Sequence, residues 1–221
     1  MDNKRSVKEL VKRYFIMLCG LYLTAFSVTL SVSSDMGTSP ISTLPNVFSH
    51  KFTGLSLGVL MFIWNCILLV AQVIILRKKF KIYQLLQLPL SFVFSAMIDF
   101  TNKYIIANLP IESMFSRILV LVVGCVMLGF AVTLTMKSDV VMNSGEAVVK
   151  AFADTFGLNF GNVKIGFDVL YVVLGTASSF IMFRTLKGVG AGTVFLAVCT
   201  GFVVKFFTKI LGGRIDKFFA K

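Results

Sequence analysis

Six apolar stretches, near Tyr14 to Ser33, Ser56 to Leu76, Tyr83 to Tyr104, Ser116 to Met136, Val163 to Phe183 and Val189 to Leu211, decide what this chain can become. Each is long enough to cross a bilayer as a helix of about 20 residues, and together they use most of the chain. With 57% of residues hydrophobic and only 14% charged, the remainder cannot form a second, soluble domain. The expected class is an all-α membrane protein with six transmembrane helices and the lipid bilayer as its main partner. A basic start (Lys4, Arg5, Lys8, Lys12, Arg13) precedes the first stretch, yet that stretch is too long for a cleaved signal and no A-x-A-like site follows it.

The cations are unevenly placed. With the N-terminus inside, the inner segments hold 15 Lys and Arg residues, including Arg77, Lys78, Lys79, Lys81, Lys137, Lys150, Arg214, Lys217 and Lys221, whereas the outer ones hold 5. The positive-inside rule then predicts a multi-pass protein of the bacterial inner membrane with both termini cytoplasmic. The net charge of +12 is thereby topology rather than a nucleic-acid surface. Cys19, Cys66, Cys125 and Cys199 lie in apolar runs with no CxxC pair, and there is one histidine, so neither metal nor other cofactor is expected.

The chain also repeats itself. Gly20 to Asp35 returns 104 positions later as Gly124 to Asp139 with seven identities in sixteen positions, among them Phe26 and Phe130, Thr29 and Thr133, and Ser34 and Ser138. After a one-residue slip, Gly54-Leu55 and Gly58 match Gly157-Leu158 and Gly161, which sets Trp64-Asn65 against Phe167-Asp168. Farther on, Gln87, Ser91, Ser95 and Asp99 align with Thr193, Ala197, Gly201 and Lys205. Three spans per copy is an odd number, so the second copy must enter from the opposite side, an arrangement common in secondary transporters. The expected units are a basic N-terminus (1–13), a first three-helix repeat (14–105), a connector (106–115), a second repeat (116–211) and a C-terminal tail (212–221).

The Gly20-x5-Phe26 span, the segment Ser34-Asp35-x-Gly37-Thr38-Ser39-Pro40, the Gly54-Leu55-Ser56-x-Gly58 start of the next helix and Gly188-x-Gly190-x-Gly192-Thr193 before the last one together resemble the YczE/YitT-type bacterial membrane proteins over nearly the whole chain. That resemblance implies an inner-membrane protein of transporter-like character. The chain departs from the pattern at Gln87, where a threonine is expected, and at Asn143-Ser144-Gly145-Glu146, which stands in place of Gly-Thr-Ser-Pro.

Three constellations are candidates for chemistry. The connectors after the first helix of each copy begin with Asp35 and Asp139 and continue into short amphipathic helices started by Ser39-Pro40 and by Ser144. As re-entrant half-helices they would point N–H groups and positive dipole ends at a cavity, suited to an anionic group; as surface helices they would not. Asp35, Gly37, Thr38, Ser39, Asp139, Asn143, Ser144, Gly145 and Glu146 are the substrate contacts on the first alternative. Trp64 and Asn65, matched to Phe167 and Asp168, would hold the apolar and polar parts of a solute. Asp99, Lys164, Asp168 and Lys205 are ionisable residues at span positions, where charge is costly unless paired or facing a cavity. Lys164 and Asp168 are four apart and can pair; Asp99 and Lys205 could likewise pair across the repeat axis, the alternative being that they snorkel from the ends of their spans.

The reading is a secondary transporter for a small polar or anionic metabolite, proton coupling being one option. A passive channel and a substrate-capturing subunit of a larger uptake complex are the alternatives. A homodimer is left open, and no nucleophile and base combination suggests an enzyme.

Overall fold

The computed structural model describes residues 6–220 of the chain. Lys4, Arg5 and Lys221, which enter the cation count above, lie outside the described residues. Among the described residues there are eight α-helices and no strand: α1 (Val7–Ser33), α2 (Pro40–Lys51), α3 (Leu57–Leu76), α4 (Gln87–Tyr104), α5 (Met114–Ser138), α6 (Ser144–Phe156), α7 (Phe160–Phe183) and α8 (Ala191–Ala220). Short 3-10 turns follow α3 and precede α4, and another lies at Ile106–Asn108. Six of the helices, α1, α3, α4, α5, α7 and α8, are long and apolar enough to cross a membrane. The chain is an all-helical, multi-pass membrane protein. Its outer faces carry unpartnered apolar side chains such as Ile67, Val70, Val173 and Ile181, which the acyl chains cover. At 12 and 13 residues, α2 and α6 are too short to span.

Local chemistry sets the helix limits. The Ser113 hydroxyl accepts from Ser116 N at 3.1 Å and starts α5, and Asn159 Oδ1 accepts from Gly161 N at 2.9 Å and starts α7 three residues before the apolar run. α1 begins at Val7 rather than Tyr14, with a 2.8 Å Glu9–Arg13 pair one turn apart along it. The largest difference is α8, which continues beyond Leu211 through the expected tail. Lys137 Nζ meets Asp216 Oδ2 at 2.8 Å, Lys12 Nζ donates to Phe218 O at 3.3 Å, and the Arg13 guanidinium lies 4.4 Å from the Phe219 ring centre. These contacts brace the last turns of α8 against α1 and α5 at the basic end of the bundle.

α1 and α5 form the central antiparallel seam. A Cβ on Gly20 would lie 2.8 Å from Thr135 Cγ2 and 3.0 Å from Ala131 O, whereas one on Gly124 would lie 3.0 Å from Ser31 Oγ and 3.4 Å from Ser27 O. Glycine at both places lets the backbones approach, and Ser27 Oγ donates to Gly124 O at 2.6 Å across the contact. Gly124, Ala131 and Thr135 are the positions 104 beyond Gly20, Ser27 and Ser31, so the two ends of the seam carry matched contacts. The match continues outward: Arg13 Nη1 donates to Ser138 O at 3.0 Å, and Arg117 Nη1 lies 3.3 Å from Asp35 Oδ2. Around the seam, α4 packs on α1 and α8 on α5, while α3 packs on α6 and α2 on α7. The correspondence is incomplete: α4 lies along α3, but α8 has no comparable contact with α7.

Asp99 serves this framework. Its Oδ1 accepts from Gly58 N at 2.9 Å and its Oδ2 from the Ser56 hydroxyl at 2.5 Å, so the carboxylate sits on the positive end of α3. Lys205 is exposed on α8. The expected Asp99–Lys205 pair is therefore not formed, because a nearer set of N–H and O–H donors holds the carboxylate. Asp99→Ala is expected to destabilise the purified protein by about 1–2 kcal/mol, with Asp99→Asn in between, measured by thermal melting in detergent.

Candidate functional site

The two short helices meet at their first turns. Asn143 caps α6 through its side-chain oxygen, which accepts from Ser144 N at 2.9 Å, and Gly145 lies directly against Ile41 of α2 with no room for a side chain between them. Ile41 and Gly145 are each the second residue of their helix. Ser144 is buried, with its hydroxyl 3.4 Å from that of Ser91 on α4. Val148, Val149 and Ala153 fix the roll of α6 by packing against Leu68 of α3 and against Val163 and Tyr171 of α7.

That roll brings Glu146, half-buried in the first turn, within electrostatic reach of Lys164 and Asp168 on α7. Lys164 and Asp168 form the expected ion pair, with side chains 33% and 19% exposed. Beside them runs a line of four rings. Trp64 and Tyr171 have centroids 5.9 Å apart at 78°, Tyr171 and Phe167 5.9 Å at 69°, and Phe167 and Phe152 5.7 Å at 72°. In each contact the edge of one ring meets the face of the next. A cleft of about 460 Å³ between α6 and α7 is lined by Phe152 and Phe167 of this line together with Leu158, Val163 and Leu170, and by Asn159 and Asn162.

Buried polar atoms without hydrogen bonds to described residues include the Tyr171 hydroxyl and Trp64 Nε1 in the ring line, both amide atoms of Asn65 and Gln72 Oε1 on α3, Gln87 Oε1 and Thr101 Oγ1 on α4, Asn46 Oδ1 on α2 and Thr155 Oγ1 on α6. Asn65 is 1% exposed and Tyr171 2%. Buried polar groups are paired in all but a few instances, since an orphan costs about 1–3 kcal/mol, so the neighbouring Trp64 and Tyr171 mark a place where solute or water fits.

The first connector is different. Gly37 (φ 125°) lets the loop lie against the start of α8, where Thr38 N donates to Thr193 Oγ1 at 3.2 Å and Gly192 N to Met36 O at 2.8 Å. The Thr38 and Ser39 hydroxyls are occupied with that of Ser42, at 2.8 and 2.6 Å. They close the loop on itself and present no free group to a ligand. Asp35 is exposed beside Arg117, at the rim of a polar cavity of about 360 Å³ that also includes Asn46, His50, Lys187 and Gly188. Asp139, exposed and left-handed like Asp35, ends α5 at the basic end of the bundle. The two connectors thus bring Ile41 and Gly145 together and leave Asp35 and Asp139 at opposite ends of the seam.

Of the residues expected from sequence, Trp64, Asn65, Glu146, Lys164 and Asp168 belong to one region. Tyr171 and Phe152 had not been singled out; Tyr171 lies four residues after Phe167 and three after Asp168, one turn along the same helix face.

The profile described as "Family of unknown function (DUF6198)" matches residues 11–209. The chain belongs to this family. It is 26% identical over 204 residues to "Uncharacterized membrane protein YczE" of Bacillus subtilis (strain 168), covering 90% of this chain and 86% of the relative. It is also 24% identical over 200 residues to an "Uncharacterized protein" of Haemophilus influenzae (strain Rd), covering 90% and 85%. The resemblance carried by the sequence motifs is met. No solved structure matches the chain.

Proposed function

We propose that the chain is a secondary transporter that moves a small polar or amphipathic solute across the bacterial inner membrane by alternating access. On this reading helices α1–α4 and α5–α8 are inverted halves, α2 and α6 are re-entrant helices entering from opposite faces, and both termini are cytoplasmic. The observation that carries it is the meeting of the first turns of α2 and α6 at Ile41 and Gly145, with Ile41 packed into the cluster that holds Trp64 and Tyr171, whose polar atoms lack hydrogen-bond partners. A transport site between inverted halves lies at such a junction. The matched contacts at the two ends of the α1–α5 seam support the same axis, along which rocking would break one end while keeping the other.

Asp168 is the proposed coupling group. Paired with Lys164 it is a stable carboxylate; protonated it is neutral, and a carboxyl that alternates between these forms carries a proton. The dipole of α6 gives no preference for an anionic solute, because Glu146 already occupies its first turn. The reading is tested in proteoliposomes with an imposed pH gradient, using solutes selected by thermal shift from amines, carboxylates, vitamins and sulfonates. The expected result is accumulation above the external concentration that collapses with the gradient. Equilibration without accumulation would make the protein a channel, and stable co-purification with an ATPase would make it a subunit of a larger complex.

A further inference from the structure

We propose that the turn joining α3 to α4 is a docking surface for the phosphate headgroups of anionic phospholipids. Arg77, Lys78, Lys79 and Lys81 place four cations within five consecutive residues, and all four are exposed. No carboxylate of the described residues lies within ion-pairing distance of any of them. The sidedness of the spans does not by itself require this, because other cations assigned to the same side are engaged within the protein: Arg13 with Glu9, Lys137 with Asp216 and Lys12 with Phe218 O. The charges of the turn are left for a partner outside the chain.

The apolar neighbours indicate its chemistry. The two 3-10 turns of this segment, Arg77–Lys79 and Ile82–Leu86, contain no buried residue. Ile82 is 84% exposed, the highest figure among the large apolar side chains of the described residues, and Tyr83, also exposed, has the Lys81 ammonium 6.0 Å from its ring centre. A soluble anion would satisfy the cations and leave Ile82 and Tyr83 in water. A phospholipid offers its phosphate to the cations and its acyl chain to the apolar groups, with the tyrosine ring at headgroup level. Each Lys or Arg held close to an anionic lipid surface is worth about 5-fold in affinity. The proposal is independent of the transport reading.

The full chain in maltoside micelles is mixed with graded amounts of phosphatidylglycerol, or of phosphatidylcholine as the zwitterionic lipid, and bound lipid is counted by native mass spectrometry. The expected result is saturable binding of phosphatidylglycerol, at least about 10-fold tighter than that of phosphatidylcholine. Combining Arg77→Gln, Lys78→Gln, Lys79→Gln and Lys81→Gln is expected to weaken it at least about 10-fold. The control removes the same charge from scattered exposed positions, as Lys8→Gln, Lys209→Gln, Arg214→Gln and Lys217→Gln together, and is expected to cost less than about 3-fold. Equal weakening by the two sets would show that net charge rather than the turn attracts the lipid, and would overturn the proposal. Equal binding of phosphatidylcholine would do the same. Displacement of the lipid by an equal concentration of soluble glycerol phosphate would assign the turn to a free phosphate and overturn the lipid assignment. Should the fourfold variant fold poorly, Lys78→Gln with Lys79→Gln is expected to weaken binding about 5- to 25-fold, and unchanged binding in that pair would count equally against the proposal.

Discussion

Gly37→Ala is expected to leave little or no folded protein after detergent extraction. Residue 37 has φ 125°, a conformation that side-chain-bearing residues rarely adopt, and a Cβ there would lie 2.7 Å from Thr193 N and 3.1 Å from Gly190 N. Those neighbours are backbone, held in place because Gly192 N donates to Met36 O, so they cannot rotate aside as a side chain would. Backbone strain of about 1–3 kcal/mol adds to an overpacking cost of similar size, against a net stability of about 5–15 kcal/mol for a folded domain. Gly54→Ala is the control, since a Cβ at Gly54 meets nothing within 4 Å. Size-exclusion profiles and melting curves should separate the two variants clearly. A Gly37→Ala protein that melts with the wild type would show that the loop is free to rearrange.

The second large effect concerns transport. Asp168→Asn is expected to abolish gradient-driven uptake while the protein still folds. The amide keeps the shape of the carboxyl and cannot titrate. It also leaves Lys164 without its partner, which would cost about 3–5 kcal/mol in a fully buried pair. Here the Lys164 side chain is 33% exposed, so its ammonium can turn toward water and the loss should be nearer 1 kcal/mol. Uptake with and without the pH gradient, measured on protein of verified melting temperature, is the check. Gradient-driven uptake at the wild-type rate in a folded Asp168→Asn protein would show that the carboxyl is not the coupling group.

The spans were legible because apolar runs of about 20 residues have few other fates. The Lys164–Asp168 pair was legible for a related reason, since a spacing of four on one helix brings two side chains together without knowledge of the fold. Asp99 was misread because its partners, Ser56 and Gly58, lie 43 and 41 residues away, and nothing in the sequence says which helix start a half-buried carboxylate will reach. Tyr171 and Phe152 carried no signal of their own: an aromatic residue in an apolar helix looks the same whether it faces lipid, core or a solute. Thr38 and Ser39 looked like ligands because free hydroxyls at a helix start are inviting, and only the position of Ser42 shows those hydroxyls to be engaged. The extension of α8 past the membrane likewise depends on Lys12, Arg13 and Lys137 arriving from other parts of the chain.

The seam between α1 and α5 has a consequence in time. The partner that Gly20 and Ser27 require is made roughly a hundred residues later, so at about 5–20 residues per second α1 waits about 5–20 s in the membrane before that face is covered. Its hydroxyls are arranged for the delay. Thr24 donates to Gly20 O, Thr29 to Phe26 O, Ser31 to Ser27 O, Ser33 to Leu30 O and Ser34 to Ser31 O, all within the helix itself. The Ser27 hydroxyl reaches instead across to Gly124 O, and until α5 arrives it too can turn back to the preceding turn of its own helix. During synthesis, helix α1 can therefore reside alone among lipid tails without an unsatisfied serine or threonine hydroxyl, and its assembly with α5 exchanges a bond rather than rescuing one.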